Sequence, residues 1–171
     1  MVYLFPVDPY DRYWFGSATL QPANPSWVNI STQHSIAPPD QDSCAVPIPV
    51  LQTAITTVSN GTVLNVTAWN NSLLSFKVFL HFTDFQNIQS RQFNIRINEQ
   101  NVDYYSPTYL KASMVRNSGW LDGNYNITLT ATSDSQLPPL ISAYEIYRLI
   151  PNVISTTFSK DCKLSHLSLS L

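Results

Sequence analysis

Gln92-Phe93-Asn94-Ile95-Arg96-Ile97-Asn98 places an apolar side chain at every second position and a polar one between. Successive side chains of an extended chain point to opposite faces, so this stretch is a strand with one face in a core and the other in water. The same period recurs outward from it. Phe76, Val78, Leu80 and Phe82 alternate with Lys77, Phe79, His81 and Thr83. Aromatics on both faces make this a more central strand. Ile127, Leu129 and Ala131 alternate with Asn126, Thr128 and Thr130, and Leu64, Val66 and Ala68 with Asn65, Thr67 and Trp69. Residues 27–31, 50–56 and 141–149 are further strand candidates. Turn signals separate the runs: Asn60-Gly61, Asn70-Asn71, Asp122-Gly123-Asn124 and Pro138-Pro139. No stretch longer than two turns keeps a helical period. Short strands at this spacing, without helices between them, predict an all-β antiparallel sandwich or barrel.

The chain has 171 residues, enough for one domain around one core. Charged residues make up 12%, about half the usual share. The polar surface therefore comes from Asn, Ser, Thr and Gln, a profile common in secreted β proteins. Four glycines against twelve prolines argue against phosphate-cradling loops and for fixed, extended connections. A net charge of −2 without a basic run removes the field that nucleic acid binding needs. No segment approaches the ~18 apolar residues of a membrane span. The first eleven residues lack the basic start and long apolar centre of a signal peptide. Cys44 and Cys162 are either two free thiols or one disulfide. No Cys/His spacing resembles a metal site, and nothing calls for a cofactor.

Five Asn-x-Ser/Thr sequons start at Asn29, Asn60, Asn65, Asn70 and Asn126. Asn65 and Asn126 fall on the polar phase of their strands, and Asn60 and Asn70 fall at turns. All are compatible with glycans in solvent, the alternative being unmodified polar surface.

An enzymatic role finds little support. Glycoside hydrolysis needs two carboxylates facing each other across the sugar bond. The two glutamates, Glu99 and Glu145, lie on separate segments. Asp8/Asp11 and Asp40/Asp42 sit in proline-rich loops. No Gly-x-Ser-x-Gly elbow occurs, and His34, His81 and His166 have no evident Cys or Ser partner. No catalytic residue is assigned. Sugar binding instead needs flat aromatic faces and planar polar groups. Tyr104, Tyr105, Tyr109 and Trp120 supply the former, with Asp103, Asn101 and Asn117 nearby. The stretch from 101 to 119 is poor in regular pattern and would form one rim of the sandwich. The same aromatics could instead pack the edge of the core, and Tyr and Trp suit a protein interface equally well.

Three segments carry a family resemblance. They are Phe5-Pro6-Val7-Asp8-Pro9-Tyr10-Asp11-Arg12-Tyr13-Trp14, then Phe79-Leu80-His81-Phe82-Thr83-Asp84-Phe85 with Arg91-Gln92-Phe93-Asn94-Ile95, and finally Leu137-Pro138-Pro139-Leu140-Ile141-Ser142-Ala143-Tyr144-Glu145-Ile146-Tyr147. In this order they resemble the malectin-like domain of plant receptor-like kinases, over residues 3–158. The resemblance implies a jelly-roll-like β-sandwich related to animal malectin, a carbohydrate-binding lectin. It implies a second lobe, residues 1–158, from an ectodomain on the extracellular face of the plasma membrane. Residues 159–171, rich in Ser and Leu, depart from the family and are expected to be a disordered tail of a truncated or partial form. The implied partner is a carbohydrate, either cell-wall sugar or glycan, or else a secreted peptide or co-receptor. Locally, Asp11 and Arg12 are positioned to pair near Trp14. Glu145, in an apolar strand, is either buried and hydrogen-bonded or solvent-facing at an edge.

Overall fold

The computed structural model describes residues 8–16, 26–40, 45–58, 61–68, 75–123 and 125–149. Among the described residues eleven strands carry the fold: β1 (Trp27–Ser31), β2 (Thr53–Thr57), β3 (Val63–Ala68), β4 (Ser75–Phe82), β5 (Phe93–Ile97), β6 (Gln100–Tyr105), β7 (Ser113–Arg116), β8 (Leu121–Asp122), β9 (Tyr125–Ala131), β10 (Leu140–Ile141) and β11 (Ala143–Arg148). They form three antiparallel sheets, ordered β1-β2-β10, β11-β4-β7 with β8 also on β4, and β3-β9-β5-β6. Cys44, Cys162, Asn60, Asn70 and the tail 159–171 lie outside the described residues.

Alternation decides which faces meet. Leu64, Val66, Phe93, Ile95, Ile97, Ile127 and Leu129 line one sheet's inner face, each at most 1% exposed. Phe76, Val78, Leu80 and Phe82 of β4 line the other and share one cluster with them. Rings close the seam between the layers: Phe82 lies 5.5 Å from Phe93 and 5.0 Å from Tyr105, and Phe76 lies 5.2 Å from Tyr125. β4 is central, as its two-sided pattern implied, and its outward Phe79 packs edge-on against Tyr147 at 5.3 Å. The all-β sandwich read from the period is the fold observed.

Three local expectations change. Residues 48–51 form a one-turn helix instead of the start of a strand. Prolines at its start fix φ near the helical value and supply no N–H, so the turn forms before β2 begins. The strand expected over 141–149 is broken at Ser142, whose N–H bonds the His81 carbonyl. Consequently β10 pairs with β2 while β11 pairs with β4, and the break joins two sheets. The stretch 101–119 is not an irregular rim: it contains most of β6 and all of β7. β6 lies at a sheet edge with both faces partly wet, and a bulge at Val102, opposite the Ile95–Arg96 step of β5, disturbs its phase. Its alternation was therefore invisible.

The β5–β6 hairpin turns through Asn98 and Glu99, at φ 49° and 65°. Two positive φ values in a two-residue loop suit the right-handed twist of the strands, but glycine normally takes the second place. Arg96 holds Glu99 there by a 2.9 Å bond from Nη2 to its carbonyl.

The N-terminal arm is pinned by a charge knot. Asp8, fully buried, accepts from Arg12 Nε at 3.0 Å, Trp14 Nε1 at 2.8 Å and the Tyr10 N–H at 2.9 Å. Arg12 Nη1 reaches Glu145 Oε2 on β11 at 2.7 Å. His81 Nε2 meets Glu145 Oε1 at 2.8 Å, and the Tyr147 hydroxyl donates to Glu145 Oε2 at 2.7 Å. The Arg12 guanidinium also sits 5.0 Å from the Tyr10 ring and 4.9 Å from Trp14. Glu145 is thus the buried, hydrogen-bonded alternative, and Arg12 pairs with Asp8 and Glu145. Burial alone would raise both carboxyls. Bonds from His81 and Tyr147 hold Glu145 below its ordinary 4.5, and bonds from Arg12 and Trp14 hold Asp8 below 3.8.

Two outcomes follow. Carboxyls depressed by folding stabilise the domain above their ordinary values, and that contribution is lost as pH falls through the folded ones. Urea titrations from pH 7 to pH 2.5 should show stability falling below about pH 4.5. Glu145→Gln should cost about 2 kcal/mol at pH 7 and flatten that fall; parallel curves would refute the assignment. Glu99→Gly should relieve left-handed strain and raise stability by about 1 kcal/mol, read from the same midpoints.

Candidate functional site

A cleft of about 320 Å³ opens between the β5–β6 hairpin and the loop joining β7 to β8. Ile97, Val102 and Leu121 give it an apolar part, and Gln100, Asn101, Arg116, Asn117 and Trp120 give it polar and aromatic walls. Its size is that of a small-ligand site. The loop is held open by Asn117, which is 5% exposed. Its Oδ1 accepts the Val78 N–H at 2.7 Å and its Nδ2 donates to the Gly119 carbonyl. This pins residues 117–119 to β4 and presents Trp120 at the rim, 47% exposed. Lys77 on the outer face of β4 sits 5.9 Å from the indole. The cleft therefore offers the Trp120 indole, the amides of Gln100 and Asn101 and one cation at Arg116, with Lys77 over the indole outside the lining.

Of the residues singled out in the sequence, Trp120, Asn117 and Asn101 come together here. Asn117 has both polar ends engaged, so its part is positional. Tyr104 stands elsewhere: it pairs with Asn94 on the outer face, 56% exposed, and its hydroxyl donates to Gln92 Oε1 at 2.8 Å. Asp103 is exposed, and its Oδ1 accepts the Tyr104 N–H at 2.8 Å. Tyr109, 39% exposed, bridges Asp84 beyond the far end of β4. Tyr105 packs against Phe82 and Phe93, where burial pushes its hydroxyl pKa up. Sequence missed Gln100, Arg116 and Lys77. Gln100 becomes visible only when the hairpin sets it opposite Ile97, and Lys77 only when the loop folds over β4.

The residues that carry the family resemblance do different work. Arg12, His81 and Glu145 come from the first, second and third segments and meet in the charge knot. Asp84 and Arg91 form a second buried pair at 2.9 Å, and Arg91 also donates to the Pro138 carbonyl. Glu145 and His81 have their polar atoms committed to one another, to Arg12 and to Tyr147. Asn29, Asn65 and Asn126 are exposed. Among the described residues no group of three or more His, Cys, Asp or Glu is placed to hold a metal ion, and no helix is long and apolar enough to cross a membrane.

Comparison with known proteins agrees with this frame. The family model for the malectin-like domain matches residues 2–149. A leucine-rich repeat receptor-like serine/threonine-protein kinase of Arabidopsis thaliana is 31% identical over 156 residues, covering 85% of this chain and 17% of that protein. The chain thus spans less than a fifth of that curated relative. The crystal structure of the plant receptor-like kinase ANX2 superposes with a TM-score of 0.68 at 15% identity, over 82% of this chain and 43% of that one. A β-glucuronidase of Bacteroides uniformis shares the fold over 76% of this chain and 15% of its own, with a TM-score of 0.52 at 21% identity. With its matched segments in order and its layers those of a receptor-like kinase structure, the chain belongs to the malectin-like domain family.

Proposed function

We propose that this chain is a non-catalytic, extracellular ligand-binding module of a receptor-like kinase ectodomain, and that carbohydrate binds in the Trp120 cleft. The observation that carries this is the cleft's makeup: an exposed indole beside two primary amides, over an apolar floor. An indole covers the apolar face of a pyranose, and amides match adjacent hydroxyls. Arg116 and Lys77 favour sugars with acceptor-rich or anionic edges. The non-catalytic part is supported by the carboxylates: Glu145 is spent in the knot, and Glu99 lies 81% exposed on the hairpin turn. The extracellular part is supported by the family and by the receptor kinases that share it.

A peptide or co-receptor is the second reading, favoured by one observation. Tyr10, Tyr13 and Phe15 of the pinned arm are 63%, 69% and 64% exposed. Aromatics displayed on a fixed segment suit a protein partner.

A glycan array followed by calorimetry tests the first reading. Trp120→Ala should weaken binding of the selected sugar at least tenfold, about 1.4 kcal/mol, with the unfolding midpoint unchanged. Tyr104→Ala, on the other face, should leave affinity unaltered. Absence of any sugar binding, or affinity indifferent to Trp120, would sink the carbohydrate assignment.

A further inference from the structure

β3 and β9 each contain one acceptor triplet, Asn65-Val66-Thr67 and Asn126-Ile127-Thr128. The register sets these triplets against one another. Asn65 faces Thr128, Val66 faces Ile127, and Thr67 faces Asn126. Each asparagine is thus opposite the other sequon's threonine, in one antiparallel ladder. The middle residues point inward, with Val66 1% and Ile127 0% exposed. Alternation therefore sends both asparagines to the outer face, where both are exposed. No hydrogen bond ties either side-chain amide among the described residues. β3 is the edge strand of its sheet, and next to β9 this face shows Asn94 and Arg96 of β5.

We propose that this strand pair is a paired N-glycosylation site in which Asn65 and Asn126 each carry an oligosaccharide. The inference rests on the extracellular placement above, not on sugar binding in the cleft. The donor is a lipid-pyrophosphate-linked oligosaccharide. A bond forms between the asparagine Nδ2 and the anomeric carbon of the first sugar. The bond from that carbon to the pyrophosphate oxygen breaks, the lipid pyrophosphate leaves, and the amide proton passes to a base.

The ladder also fixes the order of events. Both triplets lie wholly inside the paired stretch of β3 and β9. A paired strand has its backbone committed and cannot bend into a transferase cleft. Transfer therefore precedes pairing, while the two acceptors are still far apart in the chain. On folding they become diagonal neighbours, ~7–8 Å apart, and the two glycan stems stand side by side. They cover the outer face of the β3-β9-β5-β6 sheet.

The experiment uses the whole chain behind a cleavable secretion leader in mammalian cells, so the secretory route is supplied and the outcome bears on the pair itself. Secreted protein is treated with peptide N-glycosidase in heavy-oxygen water and mapped by mass spectrometry. Asn65 and Asn126 should both return as labelled aspartate, and intact mass should drop by one glycan in Asn65→Gln or Asn126→Gln and by two in the double variant. An unlabelled Asn65 or Asn126 in the wild-type chain, which needs no variant to fold, overturns the pair. Non-glycosylated chain, refolded and offered to solubilised transferase with lipid-linked donor, should stay unmodified at both positions; modification at either overturns the order.

Discussion

The seam between the two layers runs through Phe82, which reaches across the sandwich. Its ring, fully buried at the end of the central strand, touches Phe93 of β5 and Tyr105 of β6. Each such side chain contributes about 1.5–3 kcal/mol on leaving water, and the contact also fixes where the β5–β6 hairpin lies relative to β4. The cleft exists because that hairpin and the β7–β8 loop are held by the same strand from opposite sides: one through the ring seam, the other through Asn117 on the Val78 amide.

What was legible in the sequence was whatever obeyed a single rule over several residues. Phe93-Asn94-Ile95-Arg96-Ile97 shows a clean period because one face is dry and the other wet, and the sandwich follows from several such runs. β6 escaped because no residue of it is fully buried and a bulge shifts its phase. The turn at 48–51 escaped because its prolines are as compatible with extended chain as with a helix start.

The site was only half readable for a related reason. Trp120 and Asn117 lie close in sequence and end up close in space. Tyr104 and Tyr105 are adjacent too, but a strand sends them to opposite faces, one to solvent and one into the core. Arg116 joins the cleft, and Lys77 meets its indole, through pairing of distant segments, which no local pattern records. The motif residues were conspicuous for a structural reason: Arg12, His81, Glu145, Asp84 and Arg91 tie far-apart segments together through buried polar contacts.

The charge knot has a mechanical side. It binds the entering arm, at Asp8 and Arg12, to the last described strand, at Glu145. Residues 8–12 and β11 are therefore joined at one place. Tension on the C-terminal end of β11 would load the Arg148, Tyr147 and Ile146 pairs with β4 before it reached Glu145. From that side the ladder shields the ion pair; only a pull on the arm itself would load the Arg12–Glu145 contact first.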